Sequence, residues 1–169
     1  MIDAAHAAYA PEVWHDFFLA TAGAAAALAG LLFVAISINL ERILAYPWLP
    51  GRAGETILLL MCTLLTGAFA LVPGQRAEVL GVELLIVAAV ALGLITATEV
   101  RASPGPGQVP RRSIVVRALT IAAVAPLAIA GISLIAGSGG GLYWLVPAVI
   151  LQLAVAVMNA WVLLVEIVR

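Results

Sequence analysis

The chain has 169 residues, of which 64% are hydrophobic and 10% charged, and its mean hydropathy is +1.17. Soluble domains contain roughly 45–50% apolar and about 25% charged residues, so this chain has too little polar surface for a water-soluble fold. With a net charge of −1 it also lacks the basic surface that binds nucleic acid, and we expect an integral membrane protein with no nucleic-acid partner.

Five stretches are long and apolar enough to cross a bilayer, for which about 20 residues suffice. The windows between Asp16 and Glu41 and between Glu55 and Arg76 hold 24 and 20 uncharged residues. A third stretch contains Glu83, and the uncharged residues 118–165 are divided by "GSGGG" at 137–141, which is typical of a turn. We predict one transmembrane domain over residues 1–169, an all-α bundle of five helices spanning about 17–39, 55–73, 78–99, 115–136 and 142–166.

The arginines predict an orientation for this bundle. All eight basic residues are Arg, and seven of them fall in the tails and loops of one side, leaving Arg76 alone on the other. Cytoplasmic loops are enriched in basic residues, so we expect the N-terminus outside and the C-terminus inside. The absence of Lys and the abundance of Ala, Gly and Val suggest a GC-rich bacterial genome, and we expect the protein in the bacterial inner membrane. Aromatic residues at the span ends, such as Trp14 and Phe18, are expected in the headgroup zone.

The first span contains "TAGAAAALAG" at 21–30, which is unusually poor in large side chains. At 100° per residue, Gly23, Ala26, Gly30 and Ser37 share one face, and bulkier Leu and Ile residues lie opposite. Small residues let helix backbones approach closely, which favours helix association in lipid. We therefore predict a helix-packing face. Whether it packs within one bundle or between copies in an oligomer is left open by the sequence.

Polar residues inside the spans form a second candidate site. Gln152, Asn159 and Glu166 follow one another at seven-residue spacing on the last span, so they lie on one stripe that should face protein. Glu83 lies about five residues inside the third span, where Arg76 could pair with it. One interpretation is interhelical hydrogen bonding and a paired structural acid. The other is a polar pathway for ions or small solutes.

Enzymatic chemistry, a metal and a cofactor are not expected. The sequence has no hydrolase, zinc-protease or phosphate-binding loop motif, only two His, and a single Cys, Cys62. Glu12 and His15 could share a helix face in the first tail, but they lack the further ligands of a metal site. Pro126 should kink the fourth span and free the Ala122 carbonyl.

The segments "FFLATAGAAAALAGLLFVAISINLERIL", "LPGRAGETILLL" and "LVPGQ" resemble a family of small actinobacterial membrane proteins. The resemblance is strongest over residues 17–76, and some members of the family are named as modulators of the FtsH membrane protease. Its most distinctive part is "SINLERI", with Asn39, Glu41 and Arg42 at the inner end of the first span. The resemblance implies a multi-pass membrane protein with a membrane-protein partner, and it assigns no functional residue.

Two functions therefore remain open from the sequence. The first is an oligomeric channel or transporter-like protein, with Glu83, Gln152 and Asn159 near the pathway. The second is a non-conducting structural or regulatory protein that acts on a membrane partner, such as a protease, through the small-residue face and the inner loops. The polar stripe favours the first, because a scaffold has less need of it.

Overall fold

The structure, a computed structural model, describes residues 4–46, 49–101 and 111–168, with side chains placed for 6–46, 49–97 and 118–165. Within these residues the chain is all α-helical, without strands, and five helices are long and apolar enough to cross a membrane. The predicted fold class is thereby confirmed, while the N-out orientation stays a prediction. The helices are α1 Ala4–Ala7, α2 His15–Ile38, α3 Leu40–Ala45, α4 Leu49–Ala70, α5 Ala77–Arg101, α6 Arg111–Ala136 and α7 Leu145–Val168, with 3-10 turns at Pro11–Trp14 and Gly141–Trp144.

The helices extend beyond the predicted spans where charges were taken as boundaries. Helix α4 begins at Leu49 rather than near residue 55, because Pro50 suits the first turn of a helix, where no backbone donor is needed. Helix α5 continues to Arg101 and α6 begins at Arg111. A charged residue limits the part of a helix that can lie in the hydrocarbon core of a bilayer. It does not end the helix, because the backbone hydrogen bonds do not depend on the side chain.

Four helices form a closed ring and the fifth lies outside it. Helices α4, α5, α6 and α7 each pack against the next, and α7 packs against α4, while α2 lies along α4 and touches α7 only slightly. In the most apolar stretch of α2, 11% of the residues are buried, against 39–50% in the other four spans. Helix α2 is therefore a peripheral helix that depends on α4 for its packing.

The two ends of the bundle differ in composition. What we call the tail end holds residues 4–14, the turn at 71–76 and the loop at 137–144. The arginine end holds α3, the start of α4, the end of α5 and the start of α6. Two intervening segments, Pro47–Trp48 and residues 102–110, lie outside the described residues. The second covers most of the Pro- and Gly-rich segment at 102–113 that the sequence predicts as a loop, and its last three residues, from Arg111, belong to α6.

Small residues permit two close helix crossings, at positions other than the predicted face. A Cβ on Gly81 of α5 would lie 2.8 Å from the Gly131 carbonyl oxygen of α6, and a Cβ on Gly131 would lie 2.8 Å from the Gly81 carbonyl oxygen. A Cβ on Gly67 of α4 would lie 2.7 Å from the Ala22 Cβ of α2. Close backbone contact of this kind is what stabilises helix pairs in lipid.

At the tail end, the N-terminal segment packs on the α6–α7 loop. The Leu142 amide donates to the Ala8 carbonyl at 2.8 Å, and the Trp14 and Tyr143 rings meet edge to face at 4.9 Å. Gly140 has a φ of 104°, which glycine adopts without strain. Phe18, expected in the headgroup belt, is wholly buried, because it turns toward α4. These contacts close the tail end of the bundle.

The glycine crossing gives a prediction that compares two positions on α5. We expect Gly81→Ala to lower the free energy of unfolding by about 1–3 kcal/mol, because the added methyl would overpack the contact with α6. Gly93→Ala is the matched control, since a Cβ there meets nothing within 4 Å. It should be neutral or stabilising by up to about 1 kcal/mol from helix propensity. The measurement is denaturant unfolding in mixed micelles, and equal effects of the two variants would contradict the assigned crossing.

Candidate functional site

Gln152 ties three helices together inside the ring. This α7 side chain is 1% exposed, its Oε1 accepts from the Thr63 hydroxyl of α4 at 2.8 Å, and its Nε2 donates to the Ala123 carbonyl of α6 at 3.3 Å. Burying a polar amide is costly unless it is hydrogen-bonded, and here both ends of the amide are used. The prediction that this residue faces protein is confirmed, and its bonds are those of an interhelical tie.

The Gln152 amide reaches the α6 backbone next to the turn that contains Pro126. Proline removes the donor to the carbonyl four residues earlier, which is the Ala122 carbonyl, and Ala123 lies next to it. Helix α6 runs through Pro126 without interruption from Arg111 to Ala136. A side-chain amide thus binds the backbone in the turn that the proline has weakened.

Asn159 lies two turns along α7 from Gln152 and also faces the protein interior. It is 5% exposed, and its Nδ2 has no hydrogen-bond partner among the described residues. The predicted stripe is therefore buried at both of these positions, and Gln152 is bonded at both its amide oxygen and its amide nitrogen, whereas the Asn159 Nδ2 is not. The third member, Glu166, belongs to α7 and its side chain lies outside the described residues.

Glu83 belongs to a different part of the molecule. It lies half-buried in a largely apolar cleft between α4 and α5, beside residues such as Leu65. Its Oε2 accepts a hydrogen bond from the Gln75 amide of the tail-end turn. Arg76, expected as a partner, instead contacts Glu78 at 3.3 Å, because both side chains are exposed beyond the start of the span. Glu83 on α5 and Gln152 on α7 thus bind different partners, and no hydrogen bond between them is seen among the described residues.

The predicted packing face of α2 is exposed in the described part of the bundle. Gly23, Ala26, Gly30 and Ser37 are all exposed, and a Cβ on either glycine would meet nothing within 4 Å. The Ser37 hydroxyl donates to the Phe33 carbonyl of its own helix. The buried side of α2 is instead the one that carries Phe18, Ala25 and Leu32, so the structure gives this face no packing role among the described residues. Packing between chains stays a prediction.

The residues of "SINLERI" mark a break between α2 and α3. The backbone of Asn39 leaves helical geometry with φ −111° and ψ 19°, and its Nδ2 donates to the Ala35 carbonyl at 2.9 Å. Glu41 and Arg42 are exposed on the short α3, whereas Ile43 is 2% exposed and belongs to the buried core. One buried anchor thus holds α3 against the bundle, with its charged residues at the surface of the arginine end.

Sequence reasoning missed the threonines of α4. Thr56, Thr63 and Thr66 are buried. Thr63 lies seven and Thr66 ten residues after Thr56, a spacing that places all three on one helix face. Thr63 provides the partner of Gln152, and the Thr66 hydroxyl has no hydrogen-bond partner among the described residues. The spacing was available in "ETILLLMCTLLTG", but threonine is common in membrane helices and gives a weak signal.

In the described part of the chain, no cluster of three or more His, Cys, Asp or Glu could hold a metal ion. Cys62 is a buried free thiol on α4. Comparison of the chain with known protein families, with curated proteins and with solved structures found no match. The resemblance to the actinobacterial family therefore stays a prediction, and the function has to be argued from the geometry.

The interhelical tie can be tested by a double-mutant cycle. We expect Thr63→Val and Gln152→Leu each to lower the free energy of unfolding, and the double variant to lose less than the sum of the two. The coupling should be about 0.6 kcal/mol and at most about 2 kcal/mol, as for other membrane hydrogen bonds. Thr96→Val is the control, because the exposed Thr96 hydroxyl bonds only to Leu92 and Gly93 of its own helix. Strict additivity of the two variants would show that this bond does not contribute.

Proposed function

We propose that this chain is a non-conducting membrane scaffold that associates with a second copy of itself through the exposed face of α2. The observation that carries the proposal is the open space beside Gly23 and Gly30 on the least buried of the five spans. The two glycines are seven residues apart, with Ala26 between them on the same side. A surface of this length without large side chains is costly to leave against lipid and well suited to a helix.

A second copy of α2 is the occupant that fits this face. In a two-fold dimer the same patch meets itself, so each glycine would allow close approach of the opposing backbone. Small residues on both sides give right-handed helix pairs in membranes. The buried side of α2 carries Phe18, Ala25 and Leu32, and the close contact of Ala22 with Gly67 of α4 borders the small-residue face without covering it, so the bundle would not have to rearrange to dimerise.

The interior of the bundle supports a scaffold more than a conducting path. The Gln152 amide is bonded at both ends, and the tail end of the bundle is closed by the contact between Leu142 and Ala8. Glu83 opens to a cleft between α4 and α5 instead of the ring interior. A regulatory action on a membrane partner, which the family resemblance implies, would then be exerted by the dimer.

Disulfide cross-linking in native membranes tests the dimer. In a Cys62→Ala background, Ala26→Cys should form a disulfide-linked dimer on mild oxidation. Val90→Cys is the control at a lipid-exposed position of α5, 55% exposed, and should stay monomeric. Adding Gly30→Leu to Ala26→Cys should abolish the dimer without lowering the melting temperature of the monomer. Equal cross-linking at residues 26 and 90 would refute the α2 interface.

The second candidate function, conduction, is favoured by a separate observation. Asn159 Nδ2 and Thr66 Oγ1 are buried polar atoms without partners among the described residues. Such atoms are normally satisfied, often by buried water. Water along the inner faces of α4 and α7 would provide the start of a polar path.

Reconstitution in liposomes separates the two functions. Our proposal predicts no flux of K⁺, Na⁺, H⁺ or Cl⁻ above empty liposomes for wild type, with folding verified by circular dichroism. Flux that falls in Asn159→Leu, while Thr96→Val conducts normally, would overturn the scaffold and assign a pathway. Glu83→Gln should leave the result unchanged in either case, because its cleft lies outside the ring.

A further inference from the structure

A groove runs between α2 and α7 in the half of the bundle near the arginine end. Helix α4 forms its floor with Thr56 and Leu60, and the gap encloses about 300 Å³. Leu32 and Ile36 line the α2 side, and Ala160 lies on the α7 side. We call this the α2–α7 groove. It exists because α2 packs on α4 and hardly touches α7.

The two ends of this groove differ in chemistry. Toward the middle of the bundle its lining is aliphatic from Leu28 onward, whereas at the arginine end it is bordered by Asn39 and Arg42. The break at Asn39 turns the chain into α3, and the buried Ile43 fixes that short helix, so Arg42 is held at the mouth. A guanidinium has five donors in a planar fork and suits phosphate oxygens. The groove is therefore apolar along its length and has a guanidinium at one end.

The dimensions select the kind of occupant. From Leu28 to Asn39 the groove follows α2 for about 16 Å at 1.5 Å per residue, close to half of the roughly 30 Å hydrocarbon core. Helices α2 and α7 still touch each other slightly, which leaves less room between them than a further transmembrane helix about 10 Å wide needs. The space fits a single extended hydrocarbon chain that reaches from the headgroup zone toward the middle of the bilayer.

We propose that the α2–α7 groove binds one acyl chain of an anionic phospholipid, whose phosphate lies at Arg42. The lipid comes from the leaflet at the arginine end, where the charge of the guanidinium complements that of the headgroup. The chain fills the gap that the packing of α2 on α4 leaves open. The site is independent of the proposed dimer, because it lies on the α7-facing side of α2 and not on the Gly23–Gly30 side.

Lipid retention on the purified full-length protein tests this site. Protein from nanodiscs of equal parts phosphatidylglycerol and phosphatidylcholine is released into mild detergent and weighed by native mass spectrometry. Wild type should retain one phosphatidylglycerol. Arg42→Gln should retain it about tenfold less, the loss expected for one charge-assisted contact. Arg76→Gln is the matched control, because Arg76 is exposed at the opposite end and pairs with Glu78, and it should behave as wild type.

A second variant tests the apolar part of the groove. Ala160→Phe places a large side chain in the gap and should reduce retention of both lipids. If Ala160→Phe misfolds, a second measurement takes its place: the melting temperatures of wild type and Arg42→Gln are compared with and without added lipid. Phosphatidylglycerol should then raise the melting temperature of wild type more than phosphatidylcholine does, and Arg42→Gln should lose the difference. Equal retention of the two lipids, equal retention by Arg42→Gln, or no retained lipid would each overturn the proposal.

Discussion

Lipid tails solvate apolar side chains about as well as other apolar side chains do, so helices in a membrane associate mainly by close backbone contact and by pairing of polar groups. The rest of this structure depends on that constraint. Gly81 and Gly131 bring α5 and α6 together at a reciprocal contact, and Gly67 admits Ala22 of α2 against α4. Larger residues at these positions would separate the helices. The pairing of α5 with α6 and of α2 with α4 thus depends on where the chain places its smallest residues.

Within the ring, polar side chains provide directional hydrogen bonds between helices, which apolar side chains cannot make. The Gln152 amide joins α7 to α4 through Thr63 and to α6 beside Pro126. A single side chain therefore fixes the relative positions of three helices, and a register error in any of them would leave a buried amide unpaired. Two turns away, Asn159 has no such set of partners. The same stripe of α7 thus holds one residue with interhelical bonds at both ends of its amide and one whose Nδ2 has no partner among the described residues.

Helix α2 is the exception among the five spans, because it is bound to the bundle along only one side. Its Phe18 and Ala25 side is buried on α4, its Gly23–Gly30 side is open, and its end near Arg42 borders a narrow groove beside α7. Three surfaces of one helix thus have three different surroundings. We assign the open side to a second copy and the groove to a phospholipid, since the open side lacks large side chains between Gly23 and Gly30 and the groove is apolar with a guanidinium at its mouth.

The sequence by itself determined the fold class and the stripe of α7, because hydrophobic length and seven-residue spacing are properties of one helix at a time. It also placed a boundary at "GSGGG", since glycine runs end helices wherever they occur. Only the tertiary structure decided which faces meet. It turned the bare face of α2 away from the bundle, gave Glu83 the partner Gln75 instead of Arg76, and revealed the Gly81–Gly131 crossing. These outcomes depend on how several helices pack at once, and no single helix carries that information.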